Sequence, residues 1–131
     1  MVDSSVVVAG FASWHEKHEV ARRVLDGRPR LVDHCALEAY SVLTRLPPPH
    51  RAAGAIVRDF LCARFPQPFL RLSAKSQRQF VLSLADAGIV GGAVYDALIA
   101  ATVADCKGEL ATCDRRALPT YDRFGIPIVE V

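Results

Sequence analysis

The sequence predicts an α/β protein with a central, mostly parallel sheet, folded as a single domain over residues 1–131. Short apolar runs alternate along the chain with longer helical patterns, which is typical of a parallel sheet covered by helices on both faces. Hydrophobic residues make up 51% of the chain and charged residues 23%, a composition that suits a packed core. The length of 131 residues is close to the common size of one domain.

Five short runs are predicted as strands, at residues 1–3, 30–32, 69–72, 109–112 and 126–129. Helices are predicted between them, with Ser4 and Ser5, Asp33, and Ser73 as N-caps for those near 4–12, 33–46 and 73–87. Further helices are predicted over 15–25 and 51–64 and around Asp96, where Gly108 provides the C-terminal stop.

Charge and cysteine content narrow the class of protein only in part. The formal net charge of +2 neither requires nor excludes a nucleic-acid partner. The four cysteines form no C-x-x-C pair, which argues against a structural zinc site. We expect Cys35 and Cys106 to pack as small hydrophobes, a usage that suits a reducing cytoplasm. The apolar run at 6–12 is too short to cross a bilayer, so no membrane association is expected.

Four acids occupy positions that a parallel sheet brings to one edge. Asp3 and Asp114 lie at the C-terminal ends of predicted strands, Asp96 lies in the first turn of an almost wholly apolar helix, and Glu38 lies one turn into another helix. Sites in such sheets form beyond the carboxyl ends of the strands. Neighbouring carboxylates repel one another unless a bound cation offsets their charge. The pattern therefore predicts a metal site.

The segments that carry these acids form a more specific pattern: Asp3-Ser4-Ser5, residues 36–46 around Glu38, residues 91–102 around Asp96, and Thr112-Cys113-Asp114-Arg115-Arg116. In this order and spacing they resemble the PIN domain, and specifically the VapC toxins of bacterial toxin–antitoxin pairs. The resemblance implies a three-layer α/β/α fold, metal-dependent RNA cleavage, inhibition by a cognate VapB-like antitoxin, and a homodimer. Two departures are Asp-Ser-Ser in place of the usual Asp-Thr-Ser, and Ala117 in a region where the family sometimes has a further acid.

The predicted chemistry is in-line attack of a metal-activated water on an RNA phosphodiester, with Mg²⁺ or Mn²⁺ as the cofactor. Asp3, Asp96 and Asp114 are the predicted ligands, direct or through water. Glu38 is expected to hold a metal-bound water, a second metal or the substrate side of the site. The predicted substrate-binding residues are Ser5, Arg115 and Arg116, because bare carboxylates repel phosphate.

Other interpretations remain open at this level. Each acid could serve only as a helix cap, a turn residue or a solvated surface charge. The whole chain could be a catalytically inactive PIN-like binding module that acts only through protein partners, or a metal-dependent nuclease or phosphatase with another substrate. A phosphoacceptor receiver domain is less consistent, because Asp3 is followed by serines and no lysine follows Lys107.

Overall fold

A computed structural model of the chain describes residues 1–131. Its elements in chain order are α1 (Ser4–Phe11), α2 (His18–Asp26), α3 (Asp33–Arg45), α4 (Gly54–Arg64), α5 (Ala74–Ser83), α6 (Ala93–Asp105), β1 (Leu110–Thr112), α7 (Leu118–Arg123) and β2 (Ile128–Glu130). None of these helices combines the length and apolar character that crossing a membrane requires.

The sheet is parallel, as the sequence predicts, but much of it is reduced to single bridging residues. β1 and β2 pair in parallel over three residues each. Three parallel bridges extend this pairing, Val2 to Leu31, Val2 to Ala111, and Val32 to Leu70. The strands predicted at 1–3, 30–32 and 69–72 are therefore present only as these bridges. Across the sheet the order is the segment at 70, the segment at 31–32, the segment at 2, β1 and β2.

The order of these segments places a topological switch point between Val2 and β1. From Val2 the chain first moves outward in one direction to Leu70, and it then returns to the other side of Val2 for β1 and β2. Right-handed crossovers put the helices of the two halves on opposite faces of such a sheet. Ligand sites in this topology lie at the carboxyl ends of the strands beside the switch point. Asp3 and Asp114 follow the two strands that flank it.

The core lies around these central segments. Val2, Leu31, Val32 and Leu110 are at most 1% exposed, and they belong to one cluster of 23 buried residues. A second cluster of four buried residues packs α5 against α6. Burial of this kind removes apolar surface from water and contributes about 25 cal/mol for each Å² buried. This packing fixes the central segments, and with them the sheet edge that carries the acids.

The helix ends differ from the predictions in ways that matter for the site. Asp3 caps α1, because its side chain accepts hydrogen bonds from the Ser5 and Val6 N–H groups. The predicted caps Ser4 and Ser5 are instead the first residues of that helix. Asp33 is likewise the first residue of α3 and not its cap. The Ser73 cap is confirmed.

The C-terminal end of α6 and one cysteine also differ from expectation. Lys107 adopts the left-handed conformation, with φ at 50°, and the Gly108 N–H donates to the Val103 carbonyl. A Cβ at Gly108 would lie 2.5 Å from the Met1 Cε, so a larger residue there would require the flexible Met1 side chain to move. Cys35 is buried as predicted, whereas Cys106 is exposed because it lies at the C-cap of α6.

Candidate functional site

Asp3 is only 2% exposed and lies at the centre of a buried hydrogen-bond network. Its Oδ1 accepts from the Ser5 N–H at 3.0 Å, the Ser5 hydroxyl at 2.5 Å and the Val6 N–H at 3.2 Å. Its Oδ2 accepts from the hydroxyls of Thr112 at 2.5 Å and Tyr121 at 3.3 Å. Two lone pairs on each oxygen are thus fully used, so Asp3 ties α1, β1 and α7 together.

Burial raises the pKa of Asp3 above its ordinary value, and the donors around the carboxylate oppose that rise. The pKa of Tyr121 is also raised, first by burial and then by the negative charge of Asp3. The phenol therefore stays protonated and donates its hydrogen to the carboxylate. Nothing in the sequence marks Tyr121 as part of the site, because its helix α7 is short and carries no family pattern.

Ser5 and Thr112 extend this network to the segment that carries Asp114. The Ser5 hydroxyl accepts from the Cys113 N–H at 2.8 Å while it donates to Asp3. The Thr112 hydroxyl accepts from the Asp114 N–H at 2.9 Å while it also donates to Asp3. Both hydroxyls therefore position the turn after β1. The predicted contact between Ser5 and substrate stays a prediction.

Asp114 is paired with Arg116. The Arg116 Nε donates to Asp114 Oδ1 and Nη2 donates to Oδ2, each at 3.0 Å. These bonds lower the pKa of Asp114 below its ordinary value. The Arg116 side chain is 91% exposed, and such surface ion pairs contribute little to stability. Arg116 can thus leave Asp114 for a phosphate at small cost.

Asp96 differs from the other acids because no hydrogen bond or ion pair holds its half-buried carboxylate. Burial raises its pKa most, and the negative charges of Asp114, Glu38 and Asp3 raise it further. Arg116 opposes this rise. The structure therefore brings the other three predicted acids close enough for their charges to act on Asp96.

Glu38 is exposed on α3, and its Oε2 accepts a hydrogen bond from the Ser4 hydroxyl at 2.6 Å. It lines an open cavity of about 370 Å³ together with Ser4, Ser5, Asp114 and Arg116. Lys17 also lines this cavity, which we call the acidic groove. Arg115 does not line it, and its Nε donates to Glu130 of β2 at 3.1 Å. The structure thus separates the two neighbouring arginines.

No group of three or more His, Cys, Asp or Glu side chains is close enough together to hold a metal ion directly. The predicted ligand set of Asp3, Asp96 and Asp114 is therefore not assembled as three direct ligands. The oxygens of Asp3 are occupied by donors, and those of Asp114 by Arg116. Mg²⁺ typically takes only one or two carboxylates and keeps several waters. Unpaired Asp96 and exposed Glu38, with Asp114 once released, fit that requirement.

Comparison with known proteins identifies the family to which this chain belongs. The PIN domain family matches residues 1–123, so the chain belongs to the PIN domain family. It is 46% identical over 126 residues to Ribonuclease VapC40 of Mycobacterium tuberculosis strain H37Rv, and the aligned region covers 96% of this chain and 94% of that protein. The protein of the same name in strain CDC 1551 / Oshkosh matches equally well. Ribonuclease VapC27 of strain H37Rv is 40% identical over 129 residues, covering 98% and 93% of the two chains. The predicted resemblance to VapC-type PIN domains is confirmed.

Proposed function

We propose that this protein is a metal-dependent endoribonuclease that hydrolyses phosphodiester bonds in RNA. The observation that carries the proposal is the convergence of three negative charges, those of Asp114, Glu38 and Asp3, on the unpaired carboxylate of Asp96, at the edge of the sheet where sites form. Membership of the PIN domain family and high identity to proteins named ribonucleases support it. RNA supplies the phosphate and the adjoining nucleotides that such a groove can bind.

Different residues would bind the cation, bind the phosphate and hold the site in position. Asp96 and Glu38 would hold a Mg²⁺ or Mn²⁺ ion, with Asp114 joining them directly or through water. Such an ion would lower the pKa of a bound water and neutralise charge on the phosphate. Arg116 shifts between Asp114 and the incoming phosphate, and it thereby compensates the substrate charge. Asp3 keeps the turn of Asp114 in place through Thr112.

We further propose that the protein acts in the cytoplasm as a single-domain toxin and homodimer, and that a VapB-like antitoxin blocks it. The family resemblance supports these roles. Two neighbouring apolar hollows of about 360 and 310 Å³, which share Tyr40, Leu61 and Phe69, also favour a protein partner. The alternative is an inactive binding module. The saturated Asp3 and the paired Asp114 are the observations that favour it.

Divalent cations are expected to control both activity and stability. RNA cleavage should stop in excess EDTA and return with Mg²⁺ or Mn²⁺. The free energy of unfolding should rise with metal, by about 2.7 kcal/mol at one hundred times the dissociation constant, because the cation offsets repulsion around Asp96. Cleavage of matched RNA and DNA oligonucleotides, with thermal unfolding measured in parallel, checks this. Cleavage that persists in EDTA would contradict the metal role, and a folded protein that never cleaves RNA would favour the binding module.

Arg116→Ala is expected to weaken RNA binding several-fold, because it removes the exposed cation of the acidic groove. The slope of log affinity against log salt should fall by about one, the effect of losing one phosphate contact. Arg115→Ala is the matched comparison, since Arg115 has the same charge but is paired with Glu130 outside the groove. Fluorescence anisotropy at several salt concentrations measures both variants. Equal losses in the two would show that only net charge matters.

A further inference from the structure

A second cavity, of about 520 Å³, lies between α3, α5 and α6 and is not used by the site described above. His34 contributes to its wall from α3, and Thr102 from α6. Arg71 and Ser73 line it from the segment that leads into α5, and Gln77 lines it from α5 itself. This wall offers one cation, several hydrogen-bonding groups and an imidazole ring. We call it the α5 cavity.

An aromatic stack connects the α5 cavity to the catalytic acids. The rings of His34 and Tyr95 lie parallel within 4°, with their centroids 4.8 Å apart. His34 is one helical turn before Glu38 on α3, so the two side chains lie about 5–6 Å apart at Cβ. Tyr95 directly precedes Asp96 on α6 and is 55% exposed. The stack therefore joins the turns of α3 and α6 that carry Glu38 and Asp96.

Core packing does not account for this stack, because more than half of Tyr95 faces solvent. A partly exposed pair of flat rings is a surface on which an unpaired base can stack. Arg71 is exposed and suits contact with a phosphate. Gln77 can donate to and accept from base edges, and Asp33, whose carboxylate accepts from the His34 N–H at 2.7 Å, can accept from an amino group.

We propose that the α5 cavity, together with the His34–Tyr95 stack at its edge, binds a nucleotide of the substrate RNA next to the cleaved phosphate. The base stacks on the aromatic pair, and Arg71 contacts the backbone. This inference rests on the proposed ribonuclease function and specifies its substrate as a single-stranded segment with an unpaired base. No bond is made or broken at this subsite.

The two cavities are neighbours along α3, which favours a strand over a single free nucleotide. Glu38 lines the acidic groove, where Lys17 and Arg116 supply positive charge. His34, one turn earlier on the same helix, lines the α5 cavity, where Arg71 supplies it. A strand that crosses Glu38 and Asp96 thus meets a cation on both sides. Phosphate contacts of this kind fix the register of the strand, while the stack holds one base.

The test measures binding of a fluorescent, mixed-sequence, single-stranded 12-nucleotide RNA to proteins that also carry Asp96→Asn. Tyr95→Ala is expected to weaken binding by about 5- to 140-fold, the range found when a stacking aromatic is removed. Tyr95→Phe keeps a ring and should bind normally. His50→Ala is the control, because His50 also packs against an exposed aromatic, Trp14 at 4.4 Å, but lines neither cavity.

A scan with abasic sites in the RNA separates base stacking from an indirect effect on folding. At one position, removal of the base should weaken binding to the parent protein but cause no further loss in the Tyr95→Ala protein. Losses that simply add at every position, or a Tyr95→Ala protein that binds normally, would overturn the subsite. Cleavage of the same RNA by the protein with Asp96 intact, and loss of that cleavage in Asp96→Asn, tests the ribonuclease function separately.

Discussion

Asp96→Asn is expected to reduce RNA cleavage by at least about 100-fold, the effect of weakening a metal centre and its charge balance. The variant should at the same time unfold at a higher temperature than the parent in EDTA. Asp96 is unpaired, and the charges of Asp114, Glu38 and Asp3 repel it. An amide of the same shape removes that repulsion. A site arranged to attract a cation is expected to destabilise the cation-free fold.

The sign of the pH dependence follows from the raised pKa of Asp96. Folding disfavours the ionised form of Asp96, so its ionisation lowers the free energy of unfolding. This loss of stability is absent below the pKa that Asp96 has in the unfolded chain. The loss grows as the pH rises through the higher pKa of the folded protein, and it is complete above that pKa. The stabilisation by Asp96→Asn should therefore be largest near neutral pH and disappear in acid. Thermal unfolding in EDTA across this range checks the prediction.

Asp105→Asn provides the matched control on the same helix. Asp105 is exposed and lies nine residues after Asp96, which places it on the opposite face of α6. It should neither lower activity nor raise stability. If Asp96→Asn cleaves RNA normally in a well-folded protein, the proposed mechanism is wrong. If its activity falls without any gain in stability, the repulsion argument is wrong while the catalytic assignment stands.

The sequence predicts the acids at the sheet edge better than it predicts the sheet itself. Order along the chain and position after a strand depend on local patterns, so Asp96 in the first turn of α6 and Asp114 after β1 are where we expect them. The segments around Val2 and Leu70 are too short for a repeating strand pattern. Their parallel alignment depends on pairing with distant segments, Val2 with Leu31 and Ala111 and Leu70 with Val32, and on the 23-residue core, which no local signal encodes.

The roles of the acids are harder to predict than their positions, because they depend on distant partners. Asp3 is predicted as a metal ligand, yet its oxygens bind Thr112 and Tyr121, which are 109 and 118 residues away in sequence. Lys17 lies in a stretch with no recognisable motif, and only folding brings it to the acidic groove. Side chains that meet through tertiary contacts leave no spacing in the sequence to detect.

Asp3→Ala is expected to lower the free energy of unfolding by about 3 kcal/mol or more, a larger loss than any other substitution named above should cause. The reason is that it leaves buried donors unpaired, at about 1–3 kcal/mol each. Five hydrogen bonds from four other residues depend on this carboxylate, and two of them, from the Ser5 and Val6 N–H groups, form the helix cap. Ser73→Ala removes a cap whose backbone bond goes only to the Ser76 N–H of its own helix, and it should cost about 1 kcal/mol. Urea denaturation in EDTA compares the two variants.

Burial of the Asp3 charge and the hydrogen bonds to it change the free energy of unfolding in opposite directions, and a change of pH separates these two effects. Burial raises its pKa, so the ionised carboxylate lessens stability at neutral pH, whereas the donors that bind it add stability. As the pH falls through the folded pKa, the parent protein gains stability relative to a variant that has no carboxyl group. The difference in unfolding free energy between the parent and Asp3→Ala should therefore grow on acidification. A loss no larger than that of Ser73→Ala at every pH would mean that Thr112 and Tyr121 find other partners, and that Asp3 is free to bind a cation directly.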